Sequence, residues 1–329
     1  MRYDSCSLYG LQSKKVLCHL LGIENRKMMK QAYVASLVEP YIDVSGKPRL
    51  IEPPRAELKK VQKRIKKLLG RIEVPENVFS GIKGRSYIDN ASFHTGNKLR
   101  YLFKTDLSAF FPSISRNAVY VFFRFEMQCS PDVAGLLANF TTINLEQATL
   151  RNRESVYKFL AEKKVKCYNH LISGAPTSQI LSYLVNHRMF DEMQVLADNN
   201  NITMTIYVDD VTFSSENKIS NNFKDKILRI AQKYNYQISK SKVKSYSKQY
   251  PKLVTGVIID ANGSLTVKNS LRSKIIIEHD YLRVHPENNK SRQRLRGLVT
   301  AARQVKKDVF PTIYDFTLSK TEGINQVNG

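Results

Sequence analysis

The segment "TMTIYVDDVTFSS", residues 203–215, places two adjacent aspartates between two stretches that alternate as β-strands do. Neighbouring like charges repel, so Asp209 and Asp210 need either a counter-charge or a structural reason. Because the alternation resumes beyond them, we predict a tight antiparallel hairpin with both aspartates in its turn. Aspartate tolerates the left-handed backbone of such turns, so the pair taken alone also fits a purely structural role.

A third aspartate, Asp106, follows the apolar run in "YLFKTDLSAFF" and is expected at the end of a buried strand. If that strand lies beside the hairpin, three carboxylate groups converge at one edge of a sheet. Oxygen ligands in that number suit Mg²⁺, which proteins often share with substrate phosphates. Two such ions can activate an attacking hydroxyl and stabilise the leaving oxygen of a phosphoryl transfer. Only if the strands converge in this way would Asp106, Asp209 and Asp210 bind two Mg²⁺ ions, because the two parts of the sequence lie about a hundred residues apart.

Positive charge is the strongest feature of the composition. The chain of 329 residues carries 52 Lys and Arg against 29 Asp and Glu, a formal net charge of +23. Such a field indicates a polyanionic partner, with nucleic acid first and an anionic membrane surface second. No apolar run has the length of a membrane-spanning helix, and the N-terminal segment lacks the apolar core of a signal peptide. The four cysteines have no CxxC spacing and are expected to be free thiols, so we predict a cytoplasmic protein without membrane association.

The remaining segments supply the elements that would position the aspartates. An extended hairpin is predicted over 41–51, followed by an amphipathic helix in "AELKKVQKRIKKLLGRI". The polar face of that helix, with Lys59, Lys63 and Lys66, is either a solvated surface or a phosphate-facing one. Residues 130–170 look polar and irregular and are predicted as an insertion. The last 60 or so residues are predicted as Lys- and Arg-rich helices.

Several motifs in order along the chain resemble a known family. "YVDD" at 207–210 and "KTDLSAFFPSI" at 104–114 are similar to the catalytic core of reverse transcriptases. "KPRLIEPPRAELKKVQKRI" at 47–65, "FSGIKGRSYIDNASFH" at 79–94 with its NAxxH motif, "GAPTS" at 174–178 and "VTG" at 254–256 resemble, more specifically, bacterial retron reverse transcriptases. A lone YxDD motif is a weak signal, whereas this ordered set is a specific one.

The resemblance implies an α/β (α+β) right-hand polymerase. Residues 1–100 would form N-terminal helices and fingers, 101–265 the palm with a fingers-side insertion at about 130–170, and 266–329 a thumb that binds template RNA or duplex. The palm's antiparallel sheet would carry all three aspartates. Such an enzyme would use dNTPs to copy part of its own structured non-coding RNA into branched multicopy single-stranded DNA, beginning at a guanosine 2′-hydroxyl. An accessory effector protein and a role in antiphage defence are also implied.

The resemblance also assigns roles to single residues. Asp106, Asp209 and Asp210 would be catalytic metal ligands, joined by the backbone of Leu107. Lys47 and Arg49 would meet the incoming triphosphate, and Phe111 would be the aromatic gate that rejects a ribose 2′-hydroxyl. Gly174 and Ala175 would form the small-residue turn beside the template–nucleotide pair. Nucleic acid would contact Lys59, Lys63, Lys66, Asn90, His94, Lys240, Lys242, Arg292, Arg294, Arg296 and Arg303.

Some of these assignments have ordinary structural alternatives. Lys47 and Arg49 also fit a plain hairpin surface. One of Phe110 and Phe111 is expected in the core. Asn90 and His94, four residues apart, also fit a simple hydrogen-bonded pair.

The sequence departs from the family at Ser173, where a glutamine amide usually contacts the nucleotide–template pair. Two other readings remain open. One is a different bacterial reverse transcriptase, of the group II intron or diversity-generating type. The other is a non-catalytic RNA-binding scaffold that sequesters a toxin.

Overall fold

A computed structural model of the chain describes residues 1–239 and 242–318. Lys240 and the last part of the predicted thumb, 319–329, lie outside the described residues. Two compact units are present: the first comprises 1–85, 103–215 and 219–245, and the second comprises 86–102, 216–218 and the chain from 246 onward. The predicted boundaries of fingers, palm and thumb stay predictions.

The regular elements alternate between helices and short strands along the whole described chain. In the first half they are α1 (Lys14–Leu21), α2 (Gln31–Ser36), β1 (Tyr41–Asp43), β2 (Arg49–Ile51), α3 (Ala56–Leu69), α4 (Tyr87–Ser92), β3 (Tyr101–Asp106), α5 (Phe110–Ser113), α6 (Arg116–Val121), α7 (Pro131–Thr141), β4 (Thr142–Asn144) and α8 (Arg153–Glu162). In the second half they are β5 (Asn169–Leu171), α9 (Ser178–Asp198), β6 (Thr203–Tyr207), β7 (Asp210–Ser215), α10 (Asn221–Lys233), β8 (Lys244–Tyr246), β9 (Lys252–Val254), β10 (Val257–Ile259), β11 (Leu265–Val267), α11 (Asn269–Val284), α12 (Asn289–Val305) and α13 (Pro311–Leu318).

The first unit contains a four-stranded sheet with the order β6-β7-β3-β8. Strands β6 and β7 pair antiparallel from Thr203 opposite Ser214 to Tyr207 opposite Asp210, which confirms the predicted hairpin. The expected turn is wrong by one residue, because Val208 and Asp209 form the loop while Asp210 begins β7. The cause is the strand pairing itself, which continues to the last position that a two-residue loop allows.

Aromatic side chains pack the interior of this unit. Phe103 on β3 stacks on Phe213 of β7 with ring centroids 5.7 Å apart, and Phe223 of α10 meets Phe213 edge-on at 5.4 Å. All three rings are buried, and burial of one such side chain contributes about 1.5–3 kcal/mol. Helix α9 has Ile180 and Phe190 in the core.

The segment predicted as polar and irregular contains a largely buried helix, so that prediction is wrong for α7. Ser130 caps its N-terminus through the amide of Val133, and Pro131 occupies the first turn, where no amide hydrogen is needed. Its apolar residues continue around the helix, so the polarity of the segments that follow concealed a core element. Gln62 on α3 donates to the carbonyl of Phe140 at 2.9 Å.

The second unit combines a small sheet with helices. Strands β9, β10 and β11 form an antiparallel meander in the order β11-β10-β9. Its buried cluster joins Ala91 of α4 to Val254, Val257 and Ile259. Helices α11 and α12 share a second cluster that contains Ile275, Leu282, Leu295, Val299 and Ala302.

The cysteines are free thiols in the structure, as expected. Among the described residues, no helix combines the length and the apolar character that a membrane span requires.

Candidate active site

The hairpin turn holds Val208 in a left-handed conformation, with φ at 59°. A β-branched residue rarely adopts this region, and such strain costs on the order of 1–3 kcal/mol. The left-handed conformation was expected at an aspartate, but it occurs at Val208, the residue before Asp209. Strain of this kind persists where the surrounding structure over-determines it, and it is common at functional sites.

Strand β3 lies beside the β6–β7 hairpin in the sheet. Asp106 ends β3, next to β7 in the sheet, and Asp210 begins β7. The amide of Leu107 donates to the carbonyl of Asp209 at 3.0 Å, which ties the strand end to the turn. Residues about a hundred positions apart in the sequence therefore meet at one edge of the sheet.

Two lysines reach into this acidic site. Lys242 Nζ donates to Asp106 Oδ2 at 2.5 Å, and Lys104 Nζ donates to Asp210 Oδ2 at 2.7 Å. Lys242 was predicted to contact nucleic acid. In the structure it bonds the carboxylate of Asp106, which was predicted to be catalytic. Lys104 was missed, although its spacing of two residues from Asp106 in a strand places both side chains on the same face.

The carboxylates are held in an electrostatically unfavourable arrangement. Burial, and next the charge of Asp106, raise the pKa of Asp209 to about 6. Burial also raises the pKa of Asp210, although Lys104 counteracts it. Asp210 Oδ1 is buried and has no hydrogen-bond partner among the described residues. An added cation would relieve both conditions.

The residues present therefore fit the expected metal. They offer carboxylate oxygens, the ligands that Mg²⁺ prefers, and one of these oxygens is buried without a donor. In the part of the chain that the structure describes, no three His, Cys, Asp or Glu side chains are already arranged as a metal cage. Asp106 and Asp210 each accept a hydrogen bond from a lysine instead.

The predicted nucleotide-binding residues occupy two segments that the structure brings together. Lys47 and Arg49 are exposed on the β1–β2 hairpin. Gly174 is exposed with φ at 110°, a conformation that L side chains rarely adopt, and the neighbouring Ala175 is buried. The amide of Glu52, just after β2, donates to the carbonyl of Ser173 at 2.8 Å. Neither this backbone hydrogen bond nor the contact between Glu52 and His170 was predicted from the sequence.

Of the two adjacent phenylalanines, Phe110 is the core residue. Its ring lies 5.2 Å from Tyr236, while Phe111 is half-buried. This leaves Phe111 as the member of the pair that remains partly accessible.

The basic face of α3 has the predicted form. Leu58, Val61 and Ile65 are buried, whereas Lys59 and Lys63 are exposed. Lys66 is half-buried, and as a cation in the last turn it also suits the negative end of the helix dipole.

Asn90 and His94 require a correction. Both are buried, so direct contact with nucleic acid does not agree with their positions. Asn90 donates to Thr255 Oγ1 at 3.2 Å, and Thr255 in turn donates to the carbonyl of Tyr87 at 2.8 Å. Burial lowers the pKa of His94 to about 3, which keeps the ring neutral. The NAxxH and VTG motifs thus meet in one structural cluster of the second unit.

The four arginines predicted along a duplex divide into two kinds. Arg292 and Arg303 are half-buried and contact the carbonyls of Phe316 and Val309 respectively, so they help to hold the helical tail together. Their expected contact with a duplex stays a prediction. The other two are exposed, and Arg294 forms an ion pair with Glu278 while Arg296 lies on the surface.

The sequence was compared with known protein families. The family described as reverse transcriptase (RNA-dependent DNA polymerase) matches residues 38–259, and the chain belongs to it. Domains of this family generally use divalent metal ions.

Among curated proteins, the chain is similar to retron reverse transcriptases. It is 27% identical to the Retron Se72 reverse transcriptase of Salmonella heidelberg over 73% of this chain and 58% of that protein. It is 26% identical to the Retron Mx65 enzyme of Myxococcus xanthus over 72% of this chain and 54% of that protein. It is also 26% identical to the Retron Ec73 enzyme of Escherichia coli, over 82% of this chain and 81% of that protein. The chain thus spans little more than half the length of the first two relatives.

Proposed function

We propose that the chain is a retron-type RNA-directed DNA polymerase. It copies part of its own structured non-coding RNA into branched multicopy single-stranded DNA, and it begins at the 2′-hydroxyl of a guanosine in that RNA. The observation that carries the proposal is the meeting of Asp106 with Asp209 and Asp210 at one sheet edge, tied by the bond from Leu107 to Asp209. The similarity to three retron enzymes supports the retron type over the group II intron and diversity-generating types.

The acidic edge would hold two Mg²⁺ ions through Asp106, Asp209, Asp210 and the backbone of Leu107. When bound, these ions would supply activation of the attacking hydroxyl and stabilisation of the leaving oxygen. The ammonium groups of Lys104 and Lys242 orient Asp210 and Asp106 respectively, because each donates to one carboxylate oxygen.

Other residues bind and orient the substrates. The exposed Lys47 and Arg49 meet the triphosphate as a point charge and a planar fork. Phe111 contacts the sugar and excludes a 2′-hydroxyl. The turn at Gly174 and Ala175 lets the template–nucleotide pair approach the backbone, because glycine presents no side chain there.

Phosphate-binding surfaces hold the RNA. Lys59 and Lys63 on α3, together with the exposed Arg294 and Arg296 on α12, contact phosphates and 2′-hydroxyls and so set position more than sequence. The net charge of +23 supports such binding. The complex would act in the cytoplasm in antiphage defence, together with an accessory effector protein.

The test is to express the chain with its flanking genomic DNA and to extract the nucleic acid that co-purifies. Samples are run on a denaturing gel before and after ribonuclease, beside an Asp209→Asn/Asp210→Asn variant. We expect a discrete DNA band that shifts on ribonuclease treatment and is absent from the variant. RNA without DNA in both samples would refute the polymerase and favour the RNA-binding scaffold.

A further inference from the structure

Glu52 and His170 form a hydrogen-bonded pair of ionisable side chains with no exposure to solvent. His170 Nε2 lies 2.9 Å from Glu52 Oε1, and both side chains have 0% relative exposure. Glu52 directly follows β2 and His170 lies in β5, 118 positions further along the chain. A fully buried ionisable pair is costly to desolvate, so its retention needs either a structural or a functional reason.

The hydrogen bonds of the pair fix where its protons lie. His170 Nδ1 faces the carbonyl oxygen of Cys167 at 3.0 Å, and a carbonyl only accepts, so Nδ1 carries a hydrogen. The contact between Nε2 and Oε1 then holds one proton. Glu52 Oε2 accepts from the amide of Ser173 at 2.6 Å. Each carboxylate oxygen therefore has its own donor, and the carboxylate cannot rotate without losing one of them.

The same glutamate holds Ser173 by both of its backbone groups. The amide of Ser173 donates to the carboxylate, and its carbonyl accepts from the amide of Glu52 at 2.8 Å. Residue 173 directly precedes Gly174, whose positive φ turns the chain. Glu52 is also only three residues beyond Arg49. One buried side chain thus connects the hairpin that carries Lys47 and Arg49 to the turn that carries Gly174 and Ala175.

We propose that Glu52 and His170 are positioning residues that hold the turn at 173–175 in register with the β1–β2 hairpin, so that one nucleotide can contact both. This inference rests on the proposed function, because both segments are assigned there to the incoming nucleotide. Neither residue touches substrate. Their loss would weaken nucleotide binding more than it would slow the chemical step.

The experiment uses the purified full chain with Mg²⁺, a poly(rA)–oligo(dT) primed template and dTTP as the varied substrate. The variants are Glu52→Ala, His170→Gln, Glu52→Gln and Glu52→Asp. Gln62→Met is the matched control, because Gln62 is also buried and also bonds a distant carbonyl, which is that of Phe140 rather than one in the turn. Thermal melting of each variant shows that it is folded at the assay temperature.

We expect Glu52→Ala and His170→Gln to raise KM for dTTP about tenfold, with kcat changed by less than about threefold. Glu52→Gln should stay within about threefold of the parent KM, because its carbonyl can accept from Ser173 while its amide donates to a neutral His170. Glu52→Asp keeps the charge but is one methylene shorter, so its KM should rise by about threefold or more. Gln62→Met should lower the melting temperature and leave KM unchanged.

The outcomes distinguish a failure of the positioning role from a failure of the polymerase function. If the parent extends the primer and the folded Glu52→Ala and His170→Gln variants keep its KM, the positioning role is refuted while the polymerase stands. Should Glu52→Ala not fold, an unchanged KM in Glu52→Asp refutes it equally. A parent that does not extend the primer refutes the proposed function, and this inference with it.

Discussion

Two acidic sites in the first unit differ in whether their carboxylate oxygens have hydrogen-bond partners. At the sheet edge, burial and a neighbouring carboxylate raise the pKa of Asp209 to about 6, and Asp210 Oδ1 has no hydrogen-bond partner among the described residues. At Glu52, each carboxylate oxygen has a hydrogen-bond partner, His170 Nε2 for Oε1 and the amide of Ser173 for Oε2. The first site leaves one carboxylate oxygen without a donor, whereas at the second site both oxygens have a partner within the protein.

The difference distinguishes a site suited to bind a ligand from a site suited to hold two backbone segments in place. A buried carboxylate oxygen that has no donor carries an uncompensated desolvation cost, so it is retained where a ligand from outside can satisfy it. A buried carboxylate whose two oxygens both have partners restricts the backbone segments that it joins. Four measurements test this distinction between the two sites.

The first prediction compares two isosteric removals of charge. Asp106→Asn should lower primer extension by roughly a hundredfold or more, because it removes a carboxylate that the metal site requires. Glu52→Gln should retain extension within about threefold, because its hydrogen bonds can be rebuilt without charge. Single-nucleotide extension rates at saturating dNTP measure both. Equal losses in the two variants would contradict the distinction between the sites.

The second prediction concerns stability. Glu52→Ala leaves His170 buried without its carboxylate and should lower the free energy of unfolding by about 3–5 kcal/mol. The control is Glu126→Ala, which breaks the surface ion pair with Arg188 and should cost about 0–1 kcal/mol. Urea unfolding followed by circular dichroism gives both values. A loss at Glu52 no greater than that at Glu126 would show that the pair is not a structural tie.

The third prediction is a pH dependence with a different window for each site. The pKa of Asp209 is raised from 3.8 to about 6, so the folded state binds a proton that the unfolded state releases, and stability falls as the pH rises from about 4 to about 6.

At His170, burial alone lowers the pKa, but the charge and hydrogen bond of Glu52 outweigh it and raise the pKa above 6.5. Its contribution is therefore complete below pH 6.5 and is lost as the pH rises through the folded-state pKa. Melting temperatures without divalent cations should show both slopes. Asp209→Asn should remove only the slope between about pH 4 and pH 6, and His170→Gln should remove only the slope above pH 6.5. A melting temperature that is flat over both windows would refute the assignment.

The fourth prediction is the smallest effect. A divalent cation at roughly ten times its Kd should stabilise the parent by about 1.4 kcal/mol, since it binds the folded state alone. Mg²⁺ should therefore raise the melting temperature of the parent and of Glu52→Gln. It should not raise that of Asp209→Asn/Asp210→Asn. An equal shift in all three proteins would indicate general ionic screening instead of a site.

Much of the local structure could be predicted from the sequence, because it depends on periodicity. Alternation around Asp209 predicted the β6–β7 hairpin, and the three- and four-residue spacing of Leu58, Val61 and Ile65 predicted α3. The failures arose where local polarity concealed burial. Helix α7 lies within a segment of mixed polarity, and Asn90 is polar yet fully buried, with its amide nitrogen donating to Thr255.

The family, the three aspartates and the strong positive charge can be recognised from the sequence alone. The partners of the aspartates depend on the tertiary structure: Lys104 bonds Asp210 across 106 positions, and Lys242 bonds Asp106 across 136. Glu52 and His170 likewise carry no local pattern that relates one to the other. Contacts of this kind depend on which strands become neighbours in a sheet, and strand order is set by packing of the whole core rather than by the periodicity of any single segment.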